Sequence, residues 1–172
     1  MSPTPRAHIR PACEADIAAV TDITHAAFLQ YAQNLGLPGA VAALKETPED
    51  VRRAIQTQHV LVAEVDGQAV GCVRYQDIGG IGYLSRFGVH PSQQQGGVGA
   101  ALVQAVEDGC RALGLPAIAL HTSARMASLV HFYYRAGYFI HSTSTERGYI
   151  RALFVRELDA PDAYDLTPAH KK

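Results

Sequence analysis

The spacing of apolar side chains in the first third of the chain predicts two helices. Apolar residues recur at helical intervals from Ile17 to Tyr31, as expected for an amphipathic helix. The run Thr-Pro-Glu-Asp at residues 47–50 predicts a second helix start. Threonine can cap the helix, proline suits its first position, and the two acids lie at the positive end of its dipole. We expect this second helix to continue to about Gln58.

Three strands are predicted next. The β-branched, apolar runs 59–65 and 68–75 flank Asp66-Gly67, a dipeptide typical of two-residue hairpin turns. We therefore expect them to pair as an antiparallel hairpin. A third strand is predicted over residues 83–89, and it ends before Pro91 because proline cannot donate to a strand ladder.

The second half of the chain continues the alternation of helices and strands. The predicted elements are a helix from Gly97 to Leu113, a strand at 117–121, a helix at 128–136, and strands at 138–143 and 149–158. With a short strand at residues 8–10, the order is β-α-α-β-β-β-α-β-α-β-β. Such an order predicts an α/β domain in which helices cover a sheet.

Length and charge narrow the class of protein. A chain of 172 residues suits one domain with a sizeable core. We expect that domain over residues 8–158, between a flexible N-terminus (1–7) and a flexible C-terminal tail (159–172). Its 15 basic and 16 acidic residues give a net charge of −1. Since nucleic-acid binding usually requires a basic excess, no nucleic-acid partner is expected.

The positions of cysteine, histidine and apolar residues indicate the cellular compartment and whether a metal site is expected. The three cysteines are far apart and form no Cys-x-x-Cys pair, which favours a reducing compartment without structural disulfides. The chain has neither a signal-peptide pattern at its start nor an apolar run of about eighteen residues, so we expect a cytoplasmic protein with no membrane partner. His131 and His141 do not form a metal-binding pair on one helix, and no metal site is predicted.

The segment Gln-Gln-Gly-Gly-Val-Gly at residues 94–99 lies between a predicted strand and a predicted helix. Glycine lets the backbone approach a bulky anion, and the unpaired N–H groups of a helix start attract it, so a pyrophosphate is the natural ligand. A P-loop is excluded because no Gly-Lys-Ser/Thr follows. A Rossmann fingerprint fits poorly, because Leu102 replaces its third glycine and no acid ends the next strand. The alternative is a flexible loop that begins a helix.

In its context, this segment resembles the acetyl-CoA signature Q-x-x-G-x-G of the GNAT superfamily. The preceding strand (84–89) and the following helix (100–113) are similar to those of the family, and residues 132–138, Phe-Tyr-Tyr-Arg-Ala-Gly-Tyr, resemble its F-Y-x-x-x-G-F/Y segment. The resemblance covers residues 8–158. It implies a single-domain, layered α/β fold with a central mixed, mostly antiparallel sheet of about seven strands flanked by four helices.

The resemblance implies acetyl-CoA as co-substrate. The strand before the loop would hydrogen-bond the pantetheine, and its backbone N–H near Val89 would polarise the thioester carbonyl. The backbone of the loop would hold the pyrophosphate. The implied binding residues are Phe87, Gly88 and Val89 on the strand, and Gln94, Gln95, Gly96, Gly97, Val98, Gly99 and Ala100 on the loop. Met126 stands where many members have a cofactor-contacting asparagine, and Ser128 or Arg125 is expected to compensate.

The resemblance also implies a general acid at Tyr133. A phenol with a pKa near about 10 is protonated at neutral pH, whereas a departing CoA thiolate resembles a cysteine thiolate with a pKa near about 8.5. Tyr133 could therefore protonate the leaving thiolate, and it is otherwise a tyrosine of the core.

The sequence does not identify the general base of the reaction. Members that use a glutamate carry it where Tyr83 stands, so direct catalysis by a carboxylate is in doubt. Ser85 lies on the same side of the strand as Tyr83 by alternation. His121 and Thr122 end the next strand, and histidine is a suitable base. Each of these residues is alternatively structural or lines the substrate site.

The sequence thus predicts an acetyl-CoA-dependent N-acetyltransferase in which a small-molecule or peptide amine attacks the thioester directly. The polar hairpin at residues 142–151, with Glu146, Arg147 and Arg151, is a candidate acceptor surface or a solvated turn. One alternative is an acyl-CoA-binding regulatory module without efficient turnover, and another is transfer of a larger acyl group. We also expect a possible homodimer, paired through an edge formed by the apolar last strand, residues 150–158.

Overall fold

The computed structural model describes residues 6–159 and 164–172. Most of the predicted flexible N-terminus therefore lies outside the described residues. Within the described ranges there are seven strands and five α-helices. In chain order they are β1 (His8–Pro11), α1 (Ile17–Leu35), α2 (Pro48–Thr57), β2 (His59–Val65), β3 (Gln68–Asp77), β4 (Gly82–Val89), α3 (Val98–Ala112), β5 (Ala117–Ser123), α4 (Ala127–Arg135), β6 (Phe139–Ser144), β7 (Arg151–Glu157) and α5 (Thr167–His170).

The strands form one mixed sheet in the order β1-β2-β3-β4-β5-β7-β6. β1 is antiparallel to β2, and β7 is antiparallel to both β5 and β6. β4 pairs with β5 in parallel, with Gly82 opposite Ile118 and Tyr83 opposite Ala119. The predicted α/β class and the seven-stranded mixed sheet are confirmed.

The chain divides into two compact units, of which the first contains the described residues up to Arg74 together with residues 86–105. Its core is formed by apolar side chains of α1, α2, β2 and β3; the buried members are Ile17, Val20, Ile23, Val51, Val62 and Cys72. The predicted start of α2 is confirmed: Thr47 Oγ1 accepts a hydrogen bond of 3.3 Å from the Asp50 N–H, and the Asp50 carboxylate accepts one of 2.9 Å from the Thr47 N–H.

The connection between α1 and α2 is shaped by two short 3-10 turns, at Pro38–Ala40 and Ala42–Lys45. Val41 and Ala43 of this connection are buried with Ala32 of α1. The apolar character of the connection in the sequence is thus explained by packing against its own helix.

The second unit contains residues 75–85 and the described residues from Val106 onward. Its strands β5 and β7 pair along their whole length, from Ala117 opposite Glu157 to Ser123 opposite Arg151. Buried side chains from these strands and their neighbours form the core, among them Ile118, Leu120, Tyr138 and Phe154.

The sequence predicts four helices and a flexible C-terminal tail over residues 159–172. The structure differs from this prediction in the described part of that segment. Residues 167–170 form a fifth helix, α5. Leu166 and Ala169 are buried in a cluster with Ile81 and Leu153. These two apolar residues are three positions apart and therefore share one side of the turn, which gives the segment a face to bury.

The prediction that residues 150–158 form an edge is wrong. β7 is hydrogen-bonded on both sides, to β5 and to β6, so β6 lies at the edge. The chain reaches β6 first and then returns between β6 and β5, an arrangement that local sequence patterns do not reveal. Two copies therefore cannot pair edge to edge through β7. The homodimer itself stays a prediction.

All three cysteines are free thiols. Cys13 is exposed, whereas Cys72 and Cys110 are buried. Burial raises the pKa of the Cys72 thiol to about 11 and that of the Cys110 thiol to about 12. Among the helices of the described residues, none has both the length and the apolar character needed to cross a bilayer.

Candidate functional site

The predicted pyrophosphate loop lies in the first unit, between the end of β4 and the start of α3. Gly96 and Gly97 are exposed. Gly97 has φ = +73°, a conformation that L side chains rarely adopt. A Cβ built at Gly97 would meet no atom within 4 Å, so the backbone conformation, and not packing, requires glycine there.

Side-chain and backbone hydrogen bonds hold this loop in place. The His90 N–H donates to the Val70 carbonyl over 2.8 Å. Gln94 Nε2 donates to the Val89 carbonyl over 3.2 Å and to Gln30 Oε1 over 2.9 Å. The side chain of Gln94 is thus an anchor, and the backbone of the loop is presented to solvent.

The loop fits a phosphate-type anion. α3 begins at Val98, and the first N–H groups of a helix have no partner within the helix. Gly99 is half-buried and Ala100 is exposed. Donors at a helix start, together with the positive end of the dipole, form an anion site that an exposed glycine turn leaves accessible.

Gly88 has a packing role that sequence reasoning missed. A Cβ at Gly88 would lie 2.9 Å from the Ala27 Cβ of α1, closer than side chains tolerate. Similarly, a Cβ at Gly71 would lie 3.0 Å from Leu102 Cδ1 of α3. These two glycines let both helices approach the sheet closely. Of the other predicted pantetheine residues, Phe87 is half-buried and Val89 is buried.

A cluster of charged side chains in the first unit was also missed. Glu46 receives two hydrogen bonds from Arg74, at 2.6 and 2.9 Å, and its Oε1 lies 3.6 Å from Arg86 Nε. The side chains of Arg74 and Glu46 are 7% and 8% exposed. The signal available in the sequence was an arginine inside each of two mostly buried strands.

Predicted catalytic residue His121 lies in the second unit, beside Tyr83. The Tyr83 hydroxyl and His121 Nδ1 are 2.7 Å apart. The pKa of His121 is lowered from 6.5 to about 4, chiefly by burial and to a smaller extent by the positive charges of Arg151, His170 and Arg147. His121 is therefore a neutral imidazole at pH 7.

His121 opens onto a small cavity of about 120 Å³. The residues that line it come from β5, β6, β7, the β6–β7 turn and α5: His121, Ser142, Thr143, Ser144, Glu146, Leu153 and His170. The cavity brings predicted base His121 together with part of the predicted acceptor hairpin. Predicted catalytic residues Tyr133 and Ser85 are not among its lining residues in the described part of the chain.

The C-terminal segment is hydrogen-bonded to Arg147, one of the residues predicted to bind the acceptor. Arg147 Nη2 donates to the backbone carbonyl of Lys172 over 2.6 Å. Lys172 Nζ lies 5.9 Å from the centroid of the Tyr83 ring. In this structure Arg147 therefore binds the chain's own backbone.

Tyr133 is buried on α4, with 3% of its surface exposed. Its ring centroid lies 5.5 Å from that of Tyr138 and 5.4 Å from that of Phe154. Burial raises the pKa of Tyr138 well above its usual value. Tyr133 thus belongs to an aromatic cluster of the second unit.

The remaining predicted residues are more exposed. Ser85 is half-buried on β4, and Ser128 is exposed near the start of α4. Met126 is the residue before α4 and makes no side-chain cap. In the described ranges no group of three or more His, Cys, Asp or Glu side chains is arranged to hold a metal ion.

Comparison with known proteins defines the class. The profile of the Acetyltransferase (GNAT) family matches residues 25–138, more than half of the chain. The chain belongs to the GNAT acetyltransferase family, as the motifs of its sequence indicate.

A curated relative agrees with this assignment. The chain is 35% identical over 80 residues to an IAA acetyltransferase of Azospirillum brasilense, an alignment that spans 45% of this chain and 52% of that protein. The chain thus spans about half the length of this curated relative.

Solved structures confirm the fold. The PaiA N-acetyltransferase of Thermoplasma acidophilum, in complex with coenzyme A, has a TM-score of 0.78 at 15% identity, covering 89% of this chain and 99% of that one. YncA of Salmonella typhimurium, a putative acetyltransferase with its cofactor acetyl-CoA, has a TM-score of 0.72 at 22% identity, covering 92% and 99%.

Proposed function

We propose that this protein transfers the acetyl group of acetyl-CoA to a primary amine of a small molecule or peptide. The observation that carries the proposal is the exposed glycine loop before α3, with Gly97 at φ = +73° and open space beside it, in a chain of the GNAT family. Acetyl-CoA supplies an activated thioester that an amine can attack directly.

The binding roles follow from the backbone. The N–H groups from Gln94 to Ala100 would hold the pyrophosphate. Phe87, Gly88 and Val89 would hydrogen-bond the pantetheine as an added strand would. Exposed Ser128 is the candidate for the contact that other members make through an asparagine.

We assign the proton-transfer roles from the pKa values and hydrogen bonds of the groups involved. An amine such as that of lysine, with a pKa near about 10.4, is largely protonated at pH 7 and must lose a proton before it attacks. His121 is the first candidate for the proton acceptor, because its ring is neutral at that pH and hydrogen-bonded to Tyr83; with a pKa of about 4 it is a weak base that would pass the proton on to solvent and not retain it. Ser85 is a second candidate. Tyr133 would protonate the departing thiolate.

The first experiment is calorimetric titration of acetyl-CoA and CoA into the intact chain and two variants. Gly97→Glu places a carboxylate where the pyrophosphate is expected. Gly36→Glu is the matched control, because Gly36 also has a left-handed φ, +69°, with no atom within 4 Å of a built Cβ. Both variants therefore carry similar backbone strain, and only one of them alters the loop.

We expect micromolar binding by the intact chain and by Gly36→Glu, and at least tenfold weaker binding by Gly97→Glu. Equal binding by both variants would remove the loop from the cofactor site. Acceptors are then screened by release of the CoA thiol, with exposed Cys13 replaced by serine to lower the background. Tight CoA binding without turnover of any amine would favour the regulatory module.

A further inference from the structure

Arg86 has an unusual backbone conformation. It lies within β4, yet its φ is +51°, a value that non-glycine residues adopt at a cost of roughly 1–2 kcal/mol. Glycine would adopt this conformation without that cost. Such strain persists where the surroundings enforce it and is concentrated at functional sites. The backbone conformation alone therefore does not explain why arginine stands at this position.

Among the described residues, the acid paired with the Arg86 guanidinium is Glu46, which is also bonded to Arg74. Glu46 makes its two hydrogen bonds with Arg74, and Arg86 Nε remains 3.6 Å from Glu46 Oε1. Asp50, an acid that interacts with Arg74, is bonded to Thr47 and lies 3.6 Å from Arg53 Nη1. Two guanidinium groups thus share one carboxylate, so the cluster of Glu46, Arg74 and Arg86 carries a net positive charge.

The donors of these arginines are also incompletely satisfied. Within the described residues, the buried Nε atoms of Arg74 and Arg86 have no hydrogen-bond partner. A buried donor without an acceptor costs about 1–3 kcal/mol. The Arg86 side chain is 32% exposed although its Nε is buried, so other atoms of this side chain are accessible to a ligand.

The chemistry of this site selects a planar anion. The two terminal nitrogens of a guanidinium match the two oxygens of a carboxylate in a bidentate pair, whereas a lysine acts as a point charge. Arg86 is three residues before Val89, about 10 Å along an extended strand, and Val89 is where we place the thioester carbonyl. An anion on Arg86 would thus lie within a small molecule's length of the acyl group.

We propose that the Arg86 guanidinium, held beside Arg74 by Glu46, binds a carboxylate of the acetyl acceptor. The acceptor is accordingly an amine that also carries a carboxylate, as an amino acid does. This inference rests on the proposed acetyl transfer and names the substrate class for it.

Binding is tested first without turnover. The Nε–H signals of the ¹⁵N-labelled protein are followed by NMR during titration with N-acetylglycine, a product-like carboxylate, and with its neutral amide, N-acetylglycinamide. Arg86→Gly removes the guanidinium and relieves the backbone strain, so this variant is expected to stay folded. Arg86→Lys keeps a charge, and Arg52→Gln, on exposed α2, is the control.

We expect a saturable shift with N-acetylglycine that is absent in Arg86→Gly, weakened but present in Arg86→Lys and unchanged in Arg52→Gln. The amide should bind at least tenfold more weakly. No saturable shift, or an equal response to the amide, would overturn the proposal. Displacement of bound N-acetylglycine by CoA would assign the arginines to cofactor phosphates and would overturn it as well.

Kinetics separates this inference from the proposed function. Amino acids are compared with their amides as acceptors, and we expect at least a tenfold preference in kcat/KM for the acids. The preference should lie in KM and disappear in Arg86→Gly. Acetylation of acids and amides with equal efficiency would leave acetyl transfer standing and overturn the carboxylate site. Saturable N-acetylglycine binding without any acetyl transfer would overturn both the proposed function and the acceptor assignment.

Discussion

The Tyr83 hydroxyl and His121 Nδ1 form a 2.7 Å hydrogen bond that joins β4 to β5 in the second unit. The bond lies beside the parallel pairing of Tyr83 with Ala119, two residues before His121. It places a neutral imidazole at the wall of a polar cavity. A histidine held in this way links the stability of the fold to the proton concentration.

Stability should depend on pH through His121. Its pKa is about 4 in the folded chain and 6.5 when unperturbed, so below pH 6.5 the unfolded state binds a proton that the folded state does not. The contribution is complete above pH 6.5 and is lost as the pH falls through 4. Because the ring is partly exposed, we expect about 1–3 kcal/mol.

The measurement is urea unfolding at pH 7.5, 5.5 and 4.5, compared with His121→Gln. The neutral glutamine cannot titrate, so the variant should lose less stability on acidification than the intact chain. Identical pH dependence in the two proteins would show that His121 titrates normally.

Tyr133→Phe should lower kcat roughly 100-fold or more, the usual scale for loss of a general acid, and leave the KM for acetyl-CoA little changed. The substitution keeps the ring in its aromatic cluster and removes only the hydroxyl. Tyr134→Phe is the matched control, because Tyr134 is adjacent and 51% exposed. The measurement is steady-state kinetics with thermal unfolding of each variant. Equal activity in the two variants would remove Tyr133 from proton transfer.

The Glu46–Arg74 pair should behave as a buried salt bridge. Glu46→Met leaves the buried Arg74 guanidinium unpaired, and we expect a loss of about 3–5 kcal/mol. Arg74→Met should cost less, because Arg86 Nε remains 3.6 Å from Glu46 Oε1. Replacing both should cost much less than the sum of the single losses. A double-mutant cycle by chemical denaturation measures the coupling, and additive losses would contradict it.

Gly88→Ala should destabilise the first unit by about 1–3 kcal/mol, because its methyl group would lie 2.9 Å from that of Ala27. Ala27→Gly should partly rescue it, although glycine within α1 itself costs about 1 kcal/mol. Gly96→Ala is the control, since a Cβ there has only an ordinary contact at 3.9 Å. Denaturant unfolding of the four variants tests this close approach of helix and strand.

Local patterns predicted the elements that local chemistry determines. The caps, the Asp66-Gly67 turn and the apolar periodicity define most helices and strands, and the glycine loop lies where its motif indicated. The position of β7 inside the sheet could not be predicted, because it depends on which strands pair across the chain. The burial of Leu166 could not be predicted either, because it depends on contacts with residues that are distant in the sequence.

The candidate site was predictable only in part. His121 and the loop were chosen as candidates because their residue types suggest chemistry. The Tyr83–His121 bond joins residues 38 positions apart, and the Arg74–Glu46 bonds join residues 28 apart. Contacts of such separation follow from the fold, so the sequence contained the residues without indicating that they meet.

The distribution of the cysteines makes this protein convenient for spectroscopy. Maleimides react with thiolates, and Cys72 and Cys110 are buried thiols with pKa values of about 11 and about 12. Exposed Cys13 is the remaining cysteine of the three, three positions before Asp16 at the start of α1. A fluorophore or spin label would therefore attach at a single position of the natural sequence, where it can report on the first helix without any engineered cysteine.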